Sequence, residues 1–251
     1  MSAPRVEVHD TSETLATAVA GELLARLEDA QSAGHEPQIA LTGGTIAEAV
    51  HSEVARLSAA SEVDWSRVVV WWGDERFVAP DSPDRNAGEA RAAFLSSLGV
   101  DPAKIHEMPS TADAPDVDAG AVAYSDAVRM FGSGEFDVTM LGVGPDGHIA
   151  SLFPGFPQLD VADLVAVPVT DSPKPPPERI SLTFAALNRS KSVWFLVSGT
   201  DKAAVLPSVL RGDFEPQQLP AQLIRPESGN LLWLVDRAAA ARLGEPRDVA
   251  R

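Results

Sequence analysis

Apolar positions along this chain follow two alternating rhythms. Behind a capping stretch, Asp10-Thr-Ser-Glu13, they recur at Leu15, Val19, Leu23 and Leu27, the spacing of one helical face. Gly34 and Pro37 end that helix. Ile39-Ala-Leu-Thr42 then reads as a short buried strand. After Gly43-Gly44-Thr45 the helical period returns at Ile46, Ala49, Val50, Val54 and Leu57. Val68 to Trp72 is the next strand, breaking at Gly73-Asp74-Glu75-Arg76. A polar loop through Pro83 and Asp84 leads to a helix that Asn86 caps, with Glu89 three residues on. Residues 138–142, 193–197 and 231–235 supply further strands, each an unbroken apolar run. The stretch from Ser110 to Ala121 reads as loop, and Ser172-Pro-Lys-Pro-Pro-Pro177 as an extended connection.

Unbroken apolar strands separated by helices predict an α/β fold, Rossmann-like, with a mainly parallel sheet and helices on both faces. Strand–helix alternation resumes after both loops, so residues 1–251 are expected to form one domain. The net charge of −16 puts a field on the surface that repels nucleic acid and anionic membrane. An anionic ligand would therefore need positive charge supplied locally. No cysteine is present, which removes disulfides, thiolate nucleophiles and cysteine zinc sites together. Met-Ser-Ala-Pro-Arg-Val at the start has no apolar core for export, and no stretch approaches membrane-spanning length. The expectation is a soluble, cytoplasmic protein.

Candidate chemistry gathers where strands end. Gly43, Gly44 and Thr45 lie directly before a helix, where unpaired N–H groups and the helix dipole suit a phosphate; an ordinary tight turn is the plainer reading of these residues alone. Asp74, Glu75 and Arg76 follow a buried strand and suit either a sugar hydroxyl and a phosphate or a solvated charged turn. Gly142-Val-Gly144-Pro-Asp-Gly147 fits a dinucleotide fingerprint in spacing, yet Pro154 and Pro157 cut short the helix which that motif requires. His148 is the sharper feature, an imidazole in a glycine turn beyond a strand, with Asp146 two residues earlier to orient it or tune its basicity. Arg179 follows the proline run, and Lys202 follows a strand and Ser198-Gly-Thr200 at the start of a helix. Lysine is scarce, at Lys104, Lys174, Lys191 and Lys202. Arg76, Arg179, Lys202 and Gly43–Thr45 together would make an anion pocket in an acidic protein. No spacing suits a metal site, and the remaining histidines, His9, His35, His51 and His106, lie scattered.

Nearly the whole chain resembles the 6-phosphogluconolactonase family. The resemblance rests on Ala40-Leu-Thr-Gly-Gly-Thr45, Trp72-Gly-Asp-Glu-Arg-Phe-Val78 through Asn86, Gly142-Val-Gly-Pro-Asp-Gly-His148 with Ser151-Leu-Phe-Pro154, and Pro175-Pro-Pro-Glu-Arg-Ile-Ser-Leu-Thr183 with Leu187-Asn188. The family's usual Ser-Thr-Pro after the first glycines is here Thr45-Ile46-Ala47. The resemblance implies a fold similar to the glucosamine-6-phosphate deaminases, which also carry an Asp-Gly-His turn. Those deaminases place a catalytic glutamate five residues beyond the histidine, where this chain has Phe153. It further implies hydrolysis of a phosphorylated sugar lactone, 6-phospho-D-glucono-1,5-lactone, with no metal or cofactor. The catalytic set is then His148 as general base, Asp146 as its orienting carboxylate and, ranked below His148, Asp74 as a ligand of sugar hydroxyls or a partner of Arg76. Gly43, Gly44, Thr45, Arg76, Arg179 and Lys202 are the phosphate-binding set. A small-molecule partner is expected, with neither nucleic acid nor membrane, in a monomer, an oligomer being left open. The competing class is a sugar-phosphate sensor without turnover. Such regulators normally carry a DNA-binding module, and this chain lacks a basic helix pair for one.

Overall fold

Unbroken apolar runs become the middle of a sheet because both of their faces are covered. The computed structural model describes residues 5–212, 218–226 and 229–244. Nine strands lie among these residues: β1 (Arg5–His9), β2 (Gln38–Leu41), β3 (Val69–Trp72), β4 (Asp74–Arg76), β5 (Val138–Gly142), β6 (Ala166–Val169), β7 (Arg179–Leu182), β8 (Ser192–Val197) and β9 (Asn230–Asp236). The α-helices described are α1 (Ser12–Ser32), α2 (Thr45–Ser58), α3 (Asn86–Ala90), α4 (Val117–Phe131), α5 (Phe184–Leu187) and α6 (Leu206–Arg211). All five strands expected from sequence are present, within one residue of their expected ends.

Six strands form a sheet in the order β1-β9-β8-β5-β2-β3, and every pairing in it is parallel. Every residue of β2, β3 and β8 is buried, as a sheet covered on both faces requires. The chain moves outward from β2 to β3 on one side and from β5 to β8 on the other. Where neighbouring strands depart in opposite directions, a crevice opens beyond their carboxyl ends. Here the crevice lies between Thr42-Gly43 and Gly142-Val143, the two glycine turns.

A second sheet, β4-β7-β6, is antiparallel and was not apparent in the sequence. Gly73 alone separates β3 from β4, and its carbonyl accepts from Leu182 N–H, so one residue joins the two sheets. Side chains of both belong to one buried cluster, Leu41, Trp72 and Phe195 from the first and Val167, Ile180 and Leu182 from the second.

Four expectations are overturned, the first being the extended connection Ser172–Pro177, which instead bends back so that Ser172 N–H donates to the Pro177 carbonyl at 3.1 Å. Ser110 to Ala121 is loop only in its first half, because Asp116 accepts from Ala119 N–H and starts α4 at Val117. Nor does Asn86 cap a helix. It is the first residue of α3, and the free N–H groups of Asn86 and Ala87 are taken by the buried carboxylate of Glu75 at 2.9 and 2.8 Å. Lys202 ends a short 3-10 turn, Thr200–Lys202, and the helix α6 starts later. After β5 the chain turns back through a Val143–Ile149 bridge, which leaves the apparent dinucleotide fingerprint without its helix.

Candidate active site

The turn after β5 is built to present one imidazole. Gly144 N–H donates to the His148 carbonyl at 2.9 Å, and Gly147 N–H to the Gly144 carbonyl at 3.0 Å. Gly147 has φ +81, and a Cβ built on Gly144 would fall on the His148 ring. Glycine at both positions is therefore a condition for this turn. Within it, Asp146 Oδ1 meets His148 Nδ1. The ring also packs on Phe153, with centroids 4.6 Å apart. Nε2 has no protein partner among the described residues. Burial pushes the Asp146 carboxyl up, but hydrogen bonds and charge from His148 outweigh it and hold the group at about 2. Asp146 is thus ionised at neutral pH and fixes the tautomer with hydrogen on Nδ1, which leaves the Nε2 lone pair free.

His148 opens on a cavity of about 730 Å³ over the crevice. Gly43, Gly44, Thr45, Asp74, Arg76, Arg179 and Lys202 line the same space. The structure therefore brings together every residue assigned to catalysis or phosphate binding from sequence except Asp146, which stands behind His148, while Glu75 turns away to the start of α3. Gly44 (φ +99) precedes α2 without any side-chain cap, and no partner is found among the described residues for the N–H groups of Gly43, Gly44, Thr45 and Ile46. Those groups and the positive end of a helix face the cavity.

Positive charge is concentrated there, against the chain's overall sign. Arg179 is buried, and burial holds its guanidinium below the usual range. Its Nε and Nη2 donate to the carbonyls of Lys174, Pro175 and Pro176, tying the proline-rich segment to β7. Lys202 pairs with Asp201 at 2.7 Å. Lys174 also lines the cavity, lowered by burial and by the neighbouring charges of Lys202 and Arg179. Sequence reasoning gave Lys174 no role, because its neighbours come from separate segments.

Asp74 does not pair with Arg76. Its Oδ2 accepts the Ser151 hydroxyl at 2.6 Å, and Ser151 N–H in turn donates to Ser181 Oγ at 3.3 Å. Arg76 Nη1 donates to the Asp84 carbonyl at 2.9 Å and to Asn86 Oδ1. Among the described residues, no group of three His, Asp or Glu side chains could hold a metal ion. No described helix is long and apolar enough to cross a membrane.

A parallel sheet whose switch-point crevice holds a poised imidazole beside Arg76, Lys174, Arg179 and Lys202 defines an α/β enzyme class that works on anionic small molecules. More narrowly, the chain belongs to the family of glucosamine-6-phosphate isomerases/6-phosphogluconolactonase, whose model matches residues 10–233. It is 40% identical to a 6-phosphogluconolactonase of Streptomyces coelicolor over 96% of this chain and 95% of that one. The human 6-phosphogluconolactonase is 35% identical, with 98% and 97% covered. Among solved structures, a 6-phosphogluconolactonase from Trypanosoma brucei superposes with a TM-score of 0.82 at 26% identity, covering 96% of this chain and 99% of that one. A monomeric glucosamine-6-phosphate deaminase shares the fold, with a TM-score of 0.81 at 20% identity.

Proposed function

We propose that the chain is a 6-phosphogluconolactonase that hydrolyses 6-phospho-D-glucono-1,5-lactone to 6-phospho-D-gluconate, acting as a single domain in the cytoplasm. The observation that carries the choice within the family is the floor beneath His148. The position where the related deaminases place a catalytic glutamate holds Phe153, fully buried and packed on the imidazole. A ring-opening isomerisation needs a second proton carrier there, and phenylalanine carries none. Lactone hydrolysis needs one base and a means of holding the phosphate.

Water attacks C1 of the lactone while His148 Nε2 takes its proton, help of a kind worth about 10²–10⁴-fold. Asp146 holds the ring and stabilises the imidazolium that results. The tetrahedral intermediate then expels the ring oxygen, which takes the same proton back from His148. The atoms balance: one water is consumed, the C1–ring-oxygen bond breaks, and the single open-chain product carries a new carboxyl and a new hydroxyl. Gly144 and Gly147 spend their N–H groups inside their own turn, so the uncommitted N–H groups of Gly43–Ile46 serve the substrate's anionic oxygens. Arg179, Lys174 and Lys202 hold the phosphate, Arg76 assists, and the free oxygen of Asp74 accepts from a sugar hydroxyl.

The test is release of 6-phosphogluconate from freshly generated lactone, read against spontaneous hydrolysis in the same buffer. Saturable acceleration is expected. Folded protein that binds 6-phosphogluconate without accelerating hydrolysis would be a sensor, and the proposal would fail.

A further inference from the structure

Asn86 stands where three of the cavity's walls meet. It is 2% exposed, and its backbone N–H is held by Glu75. Its amide spans two elements: Nδ2 donates to the Asp74 carbonyl at 3.0 Å, and Oδ1 accepts from Arg76 Nη1. The third wall is the glycine turn before α2. A Cβ built on Gly43 would fall inside the Asn86 carboxamide, so the space that a side chain at residue 43 would fill is already occupied by Asn86. Gly43, Asp74, Arg76 and Asn86 all line the cavity.

The geometry points to Asn86 as a positioning residue that sets the Arg76 guanidinium and the Gly43 turn in register with one another, and so sets affinity for the phosphorylated substrate. This rests on the lactonase reading. The amide suits the task because it carries both a donor and an acceptor in one rigid plane. Asp74 offers a carbonyl and Arg76 an N–H, so each needs the opposite half of that amide. A carboxylate would lose the donor, and an aliphatic side chain would lose both. Without Asn86, Arg76 keeps one bond, to the Asp84 carbonyl, and the Gly43 turn loses the surface it rests on.

Asn86→Ala is expected to raise KM for the phosphorylated lactone about tenfold while kcat falls less than about threefold, the pattern of lost uniform binding. The unphosphorylated lactone should show a smaller KM change. Gly43→Ala, which pushes the amide aside, is expected to show the same split. The Gly43→Ala/Asn86→Ala double variant should be no worse than Asn86→Ala alone, because the clash has gone. Near-isosteric Asn86→Asp guards against loss of folding: it keeps the acceptor, loses the donor and offsets the charge of Arg76, so KM should rise there too. Calorimetric Kd values for 6-phosphogluconate should follow the same order and need no turnover. Two results overturn the inference: a lowered melting temperature in Asn86→Ala with KM and Kd unchanged, or effects of the two single variants that simply multiply in the double. Loss of wild-type turnover would remove the lactonase reading instead, and the Kd order would still decide the role of Asn86.

Discussion

His148 and His51 are assembled from the same parts. Each imidazole has a carboxylate facing Nδ1, Asp146 for one and Glu89 for the other. Each ring also packs on a phenylalanine, Phe153 at 4.6 Å and Phe94 at 5.1 Å between centroids. Their surroundings differ. Asp146 shares a glycine-pinned turn with His148 and bonds it, so one ring nitrogen is committed and the other is left for a ligand. Glu89 sits on a different helix, 3.4 Å from His51, and neither His51 Nδ1 nor Glu89 Oε1 has a hydrogen-bond partner. His51 is 2% exposed inside the protein, whereas the His148 side chain is 13% exposed and borders the cavity. A histidine–carboxylate pair becomes machinery when a strand end gives it a cavity and a turn fixes its geometry. Buried between helices, the same pair is packing.

The largest expected effect breaks the comparison at its functional end. His148→Gln should keep the fold and lose about 10²–10⁴-fold in kcat, the usual value of a general base. His51→Gln should leave kcat and KM near wild type. Initial rates of lactone hydrolysis beside circular dichroism decide it, and comparable losses in both variants would erase the distinction.

Asp146→Ala comes next. A hydrogen bond to a charged group is worth about 1.5–3 kcal/mol, so kcat should fall about 10–150-fold with KM little changed. The same carboxylate gives a sign for pH. Its pKa is about 2 in the folded protein against an ordinary 3.8, so the folded state holds that proton less tightly. The resulting stability is fully present above pH 3.8 and is lost as pH falls through 2. Urea midpoints of wild type and Asp146→Ala should therefore differ by a constant amount near neutrality and converge in acid. A gap that widens on acidification would contradict this assignment.

Arg179→Ala sharpens the electrostatic side. KM for the phosphorylated lactone should rise about 10–100-fold through loss of a charged contact, and KM for the unphosphorylated lactone should rise less. Equal effects on both substrates would assign Arg179 to holding the proline-rich segment and nothing more.

How much of this was legible in sequence follows from where each signal resides. Central strands were readable because an unbroken apolar run of four to six residues, bounded by turn residues and rich in β-branched and aromatic side chains, is too short for a buried helix and suits a strand covered on both faces. The edge strand β1 was missed, since Val6 and Val8 are exposed and alternate with charged residues. Strand β4 was missed for the opposite reason: Asp74 and Glu75 are buried, against everything their side chains suggest alone. The start of α4 was hidden because Gly120, Ala121 and Ser125 dilute the apolar signal of Val117 and Tyr124 on its inner face. His148 and its aspartate were legible because the pair is local. Lys174 and the work of Asn86 were not, because both depend on contacts between distant segments. The helix start credited to Asn86 belongs to Glu75, eleven residues earlier.

The smallest expected effect tests the packing end of the comparison. Leucine matches the volume of histidine closely and needs no hydrogen bond, and a buried unsatisfied polar group costs about 1–3 kcal/mol. His51→Leu should therefore be neutral or stabilising by about 1 kcal/mol in urea unfolding, with kcat and KM unchanged. Should His51 and Glu89 form a true ion pair, removing one partner would strand the other, and the variant would lose about 3–5 kcal/mol. Their 3.4 Å separation and unpartnered atoms argue for the first outcome. A large loss would mean that proximity alone made this pair ionic, and that only the cavity, not the geometry of the turn, separates the two histidines.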